Sequence, residues 1–163
     1  MNAALFDLHQ SAAAASPTLT SPGSPPVPPG RLGELAFLVG STWASGSAGS
    51  LIEESFAWGP GMASIQTVVV QRVNGVITTS GNGLFAWNAA GQKLMSASFL
   101  LGTYYASQEI LPAVPDQWSW LSSAVGPTGA SEMTALMVKI DDDTFEMRFT
   151  GFPPRVYRRE PPR

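Results

Sequence analysis

The sequence predicts an all-β protein whose antiparallel up-and-down meander closes into a barrel. Three observations carry this prediction. From residue 51 onward, about nine stretches of alternating or β-rich composition follow one another, separated by turn residues. No stretch between them is long enough for the helix that a parallel crossover requires. Asn74-Gly75 splits two β-rich runs, the strongest short-range hairpin signal. A meander of this length is most simply closed, because closure removes both exposed edges.

Taken in order, residues 1–30 stand apart as a flexible arm. "SAAAASPTLTSPGSPPVPPG" is uncharged and holds six of the fourteen prolines, which favour extended chain over packed structure. Within the arm, "ALFDLH" is the one segment able to form a short helix that docks elsewhere. The barrel domain is expected over residues 31–160. It begins with "RLGELAFLVG", where Leu32, Leu35, Ala36 and Val39 have helical spacing and Gly40 is a natural stop. "LIEESFAW" then alternates, and "GPG" breaks it. "MASIQTVVVQRV" and "VITTSGNGLFAW" form the Asn-Gly hairpin, with Gly81 and Gly83 marking a bend or bulge. "KLMSASFLL", "YYASQEIL" and "DQWSWLSS" follow, and "AVGPTGA" reads as a longer loop. "SEMTALMVKI" and "TFEMRFT" flank "DDD", and "PPRVYRR" supplies the last strand.

Composition removes several function classes. Apolar residues make up 44% of the 163-residue chain, enough for one domain with a real core. Net charge is −3, so no basic field attracts nucleic acid, and the arginines of "RVYRREPPR" read as a polar tail. With no cysteine there is no disulfide framework, thiolate nucleophile or Cys-ligated metal. The N-terminus lacks a basic leader followed by an apolar core, and no apolar run reaches the ~18 residues of a membrane helix. A cytoplasmic protein without membrane contact is expected.

The stretch "LAFLVGSTW", with "EESFAWGPG" and the closing "FEMRFTGFPPRVYRR", resembles the lipocalin (calycin) superfamily. The nearest likeness is to bacterial lipocalin-like domains and their nitrobindin-like relatives, over roughly residues 31–159. The resemblance implies a lipocalin-like barrel with Trp43 closing one end under a basic side chain of the last strand, Arg155 or Arg158. A cation–π contact of that kind contributes ~0.5–2 kcal/mol. Spacing departs from the usual Gly-X-Trp by one residue, since Ser41 and Thr42 separate Gly40 from Trp43. Nitrobindin-like relatives hold haem through a barrel histidine, and the only histidine here is His9, in the arm. No cofactor is therefore expected. A Ser-His-Asp triad lacks its base for the same reason, unless His9 reaches back.

Among carboxylates, "DDD" reads as a hairpin turn rather than a cation site, because it lacks the spaced ligands of a calcium loop. No metal site is expected. Glu54 shares a strand face with Ile52, Phe56 and Trp58. Facing inward it is a buried acid able to transfer a proton or grip a ligand; otherwise it pairs with Arg72 or Arg148, or faces solvent. Aromatic candidates for a lumen are Phe56, Trp58, Phe85, Trp87, Phe99, Tyr105, Trp118 and Trp120. Gln108, Arg148 or Glu54 would orient a ligand's polar end. Such aromatics commonly form plain core, but a barrel of more than eight strands leaves interior space that core side chains need not fill.

The leading expectation is thus binding of a small apolar or aromatic molecule. The first alternative is a cofactor-independent enzyme of cyclase or isomerase type, with Glu54 or Tyr105 as acid or base. The second is an oligomerisation or interaction module that buries its low-charge wall against copies of itself or another protein.

Overall fold

Three leucines at three-residue spacing mark the first element described. The computed structural model describes residues 27–47, 49–100, 102–110 and 114–161. The expected arm therefore lies outside the described residues as far as residue 26. Gly30–Leu38 is a 3-10 helix, whose three-residue turn places Leu32, Leu35 and Leu38 on one fully buried face. This corrects the α-helical spacing read from the sequence: Ala36 is exposed and Val39 only half-buried.

Ten antiparallel strands follow: β1 (Thr42–Ser47), β2 (Ser50–Trp58), β3 (Ser64–Val73), β4 (Val76–Asn88), β5 (Lys93–Leu100), β6 (Thr103–Glu109), β7 (Gln117–Gly126), β8 (Gly129–Asp141), β9 (Thr144–Phe149) and β10 (Arg155–Arg159). Each pairs with the next, and β1 pairs with β10, so the sheet is a closed up-and-down barrel. One strand more is present than the nine stretches read from the sequence, because the Gly-, Ser- and Ala-rich "TWASGS" is itself β1. Its scarcity of large side chains hides it from a hydrophobic pattern.

Asn74 and Gly75, at φ 50° and 80°, make the tight β3–β4 turn that their sequence predicts. "AVGPTGA" is not a long loop: Gly126 pairs with Gly129, and only Pro127 and Thr128 form the turn. Register shifts fall at Gln71/Arg72 and Lys139/Asp141, not at Gly81 or Gly83.

The helix plugs the end of the barrel where β1 starts. Trp43 is fully buried there, donates its indole N–H to the Leu38 carbonyl at 2.9 Å, and meets Phe37 and Phe145 edge-on. Phe37 also stacks on Trp118. Gly30 lies against the Trp87 indole so closely that a Cβ there would overlap the ring. Arg31 ties the helix to the wall through an ion pair with Glu109, which is 1% exposed.

Candidate functional site

Above this floor the barrel encloses a cavity of about 360 Å³. Its size follows from which side chains point inward. Directly opposed residues of paired strands share a face. Thr67 faces Gly83, Gly83 faces Ser98, and Ser98 faces Tyr105; one step nearer the floor, Phe85 faces Ser96, Ser96 faces Ser107, and Ser107 faces Ser122. On the inner wall of β4 to β7, Gly83, Ser96, Ser98, Ser107 and Ser122 bring little side-chain volume and leave space in the lumen. Several large side chains of the same strands point outward instead. Phe99 is 54% exposed and sits beside Tyr104, which is also exposed, and Tyr104 faces exposed Val125.

The proposed lumen residues consequently divide. Glu54, Phe56, Phe85, Tyr105 and Trp120 line the cavity. Trp58, Trp87 and Trp118 pack instead into or against the core cluster, with Trp118 stacked on Phe37 and Trp87 covering Gly30. Phe99, Gln108 and Arg148 are exposed on the outer wall, and Arg148 pairs with Glu146. Period-two alternation is the reason: each of the three sits one residue away from an inward-facing position.

The basic side chain over Trp43 is neither Arg155 nor Arg158 but Arg159, with its guanidinium 4.7 Å from the ring. Arg159 is paired across from Trp43 in the β10–β1 ladder and therefore shares its inward face. It also donates to the Phe37 carbonyl at 3.0 Å and pairs with Asp143 at 2.8 Å, fastening helix, floor and the β8–β9 turn together. Alternation turns Arg158 outward. Arg155 faces in, but about 13 Å away at the other end of the strand, by the ordinary rise of four residues. There it lines the cavity and its guanidinium lies over Phe149 at 5.9 Å.

Glu54 lies opposite Trp43 in the β1–β2 ladder, so the closing indole and this carboxylate share the inner face. The ion pairs weighed for it go elsewhere: Arg72 pairs with Glu53 at 3.1 Å, and Arg148 with Glu146. Its partner is Tyr157, whose hydroxyl donates to Glu54 Oε1 at 3.4 Å. Burial raises the Glu54 pKa from 4.5 to about 7, against the opposing pull of the Tyr157 hydrogen bond and the Arg155 charge. Tyr157 is pushed well above its ordinary value, first by burial and then by the nearby Glu54 charge. Its ring stacks on Phe145 at 4.7 Å, and Phe145 in turn meets Trp43. The floor thus holds the hydroxyl in place beneath the acid.

Sequence reading passed over Tyr157. Its signal was the alternation of "RVYRR": once Arg159 is inward, Tyr157 and Arg155 must be inward too. Thr67 was also missed; it lines the cavity 9% exposed, and its hydroxyl has no hydrogen-bond partner among the described residues. Met133, Met137 and Met147 complete the apolar lining.

Asp141 to Asp143 form the β8–β9 turn, where the Asp143 N–H donates to Asp141 Oδ1 at 2.9 Å. No group of three or more metal-ligating side chains occurs among the described residues. Nor, among them, is any helix long and apolar enough to cross a membrane. No protein-family model matches the chain, and none of the curated proteins is similar enough to match it.

Proposed function

We propose that the protein is a lipocalin-like container that binds a small, mainly apolar or aromatic molecule inside its barrel. One observation carries this reading: a cavity of about 360 Å³ whose lining combines Phe56, Phe85, Trp120 and three methionines with Glu54, the one acid among the described lining residues. That volume falls within the range of small-molecule sites, where apolar walls supply contact area and a few polar groups fix orientation. The inward serines and glycines act here as makers of space. Trp43 and the helical plug close one end, so a ligand enters from the end where Phe152 and Arg155 stand exposed.

Binding of the neutral fluorophore prodan, followed by its blue shift, tests the reading. Saturable binding is expected in the native protein. It should be lost in Ala135→Trp and in Ser122→Phe, which fill the lumen from β8 and β7, and kept in the outer-wall variant Phe99→Ser. Unsaturable binding, or binding unchanged in both filled variants that retain native circular dichroism, overturns it.

A second reading is proton transfer on the bound molecule. An acid titrating near neutrality inside an apolar cavity, with a tyrosine hydroxyl beside it, favours this. Glu54→Gln separates the two readings, since a container keeps its affinity for neutral ligands while an enzyme loses turnover.

A further inference from the structure

We propose that the cavity selects small apolar amines, with Glu54 receiving the ammonium group while the hydrocarbon body fills the aromatic and methionine lining. The inference rests on the container reading and names the ligand class.

The acids of the barrel are unevenly paired. Glu53, Glu109 and Glu146 each have an arginine partner: Arg72, Arg31 and Arg148. Glu54 is enclosed by the wall, yet no ion pair reaches it among the described residues, and its one hydrogen bond, from Tyr157, is long at 3.4 Å. An enclosed carboxylate without an ion pair is costly, and Glu54 lines the cavity, where a ligand can reach it. A ligand ammonium supplies a directly paired charge and further donors, and hydrogen bonds between charged groups are the strong ones.

The surroundings favour a cation over an anion. Phe56 and Phe85 lie 6.5 Å apart, and the stacked Phe145–Tyr157 pair stands on the Glu54 side of the lumen. The negative faces of such rings attract a cationic head group. The titratable and charged groups facing the cavity are Glu54 from β2, Tyr105 from β6, and Arg155 and Tyr157 from β10; the described lining residues of β3, β4, β5, β7, β8 and β9 carry no charge. Arg155 is the one cation among them; its charge reaches Glu54 and Tyr157, but it forms no ion pair with Glu54 among the described residues, and it is exposed at the mouth, where water and salt weaken that pull. An anionic ligand would have to bring its charge to the mouth or next to Glu54.

Three probes of matching size test the inference on the full chain: 3-phenylpropylamine, 3-phenylpropan-1-ol and 3-phenylpropionate, titrated by calorimetry at pH 7. The amine should bind about tenfold or more tightly than the alcohol, the scale of one charge-assisted hydrogen bond. Glu54→Gln should erase that margin. Because Glu54 titrates at about 7, amine binding should release about half a proton per ligand at that pH, read from buffers of different ionisation heat. The variant should release none. Equal affinity for all three probes overturns amine selection and leaves the container reading standing. Tightest binding of the propionate overturns it in favour of Arg155 as the anchor. Failure of all three to bind removes the container reading together with this one. The probe series on the native protein decides the matter even if the variant does not fold.

Discussion

Glu54→Gln should change how stability depends on pH, and the size of the change follows from the structure. The folded-state pKa is raised from 4.5 to about 7 by burial in the barrel wall. Between those values the unfolded chain has released this proton while the folded protein still holds it. The folded state then binds more protons, so stability falls as pH rises through the window and levels off above it. Below the lower value the residue makes no difference of this kind. A separation of that width corresponds to about 3 kcal/mol at full extent, by the conversion of ~1.4 kcal/mol per pKa unit. Glutamine keeps the shape and still accepts from the Tyr157 hydroxyl, but carries no proton to lose. Urea unfolding of the ligand-free protein and the variant, measured from pH 4.5 to pH 8.5, should show the variant gaining on the native protein by about 3 kcal/mol across the range. In a thermal scan this is about 10 °C of relative shift at the alkaline end. Subtracting the two profiles removes every other titrating group. Parallel profiles, or a native protein that gains on the variant as pH rises, would refute the placement of Glu54 as an enclosed acid without an ion pair.

Two further outcomes test the floor. Trp43→Ala removes a fully buried indole, its hydrogen bond to Leu38 and the seat of Arg159, and should cost about 3–5 kcal/mol in denaturant unfolding. The ion pair between Arg31 and Glu109 should respond unequally to truncation. Arg31→Met strands a carboxylate that is 1% exposed and should cost about 3 kcal/mol or more, whereas Glu109→Met leaves an arginine that still reaches Glu34 at 2.8 Å and solvent. Equal losses in the two variants would mean that the carboxylate finds another donor.

Much of the architecture was legible along the chain. Alternation, turn residues and the lack of a crossover helix implied a closed antiparallel meander, and Asn74-Gly75 marked its hairpin because φ > 0 at both positions suits those residues. The floor position of Trp43 came only from the resemblance of its stretch, whereas Glu54 could be singled out as an acid among apolar neighbours on one strand face. The 3-10 helix was less visible, since leucines three apart satisfy an α-helical stripe nearly as well.

Sequence by itself determined nine of the ten strands, their order and their antiparallel pairing, because period-two patterning and turn chemistry are local properties of the chain. Tertiary structure alone decided which face of each strand looks inward. In "KLMSASFLL" and "YYASQEIL" both faces are nearly uncharged, so burial gives no preference between them. Closure and register, carried around the barrel from Trp43, turned the serines inward and Phe99, Tyr104 and Gln108 outward. The same closure brought β10 beside β1, setting Arg159 over Trp43 and Tyr157 against Glu54, 103 residues away. A contact of that range has no signature in local pattern; it exists only once the first and last strands share hydrogen bonds.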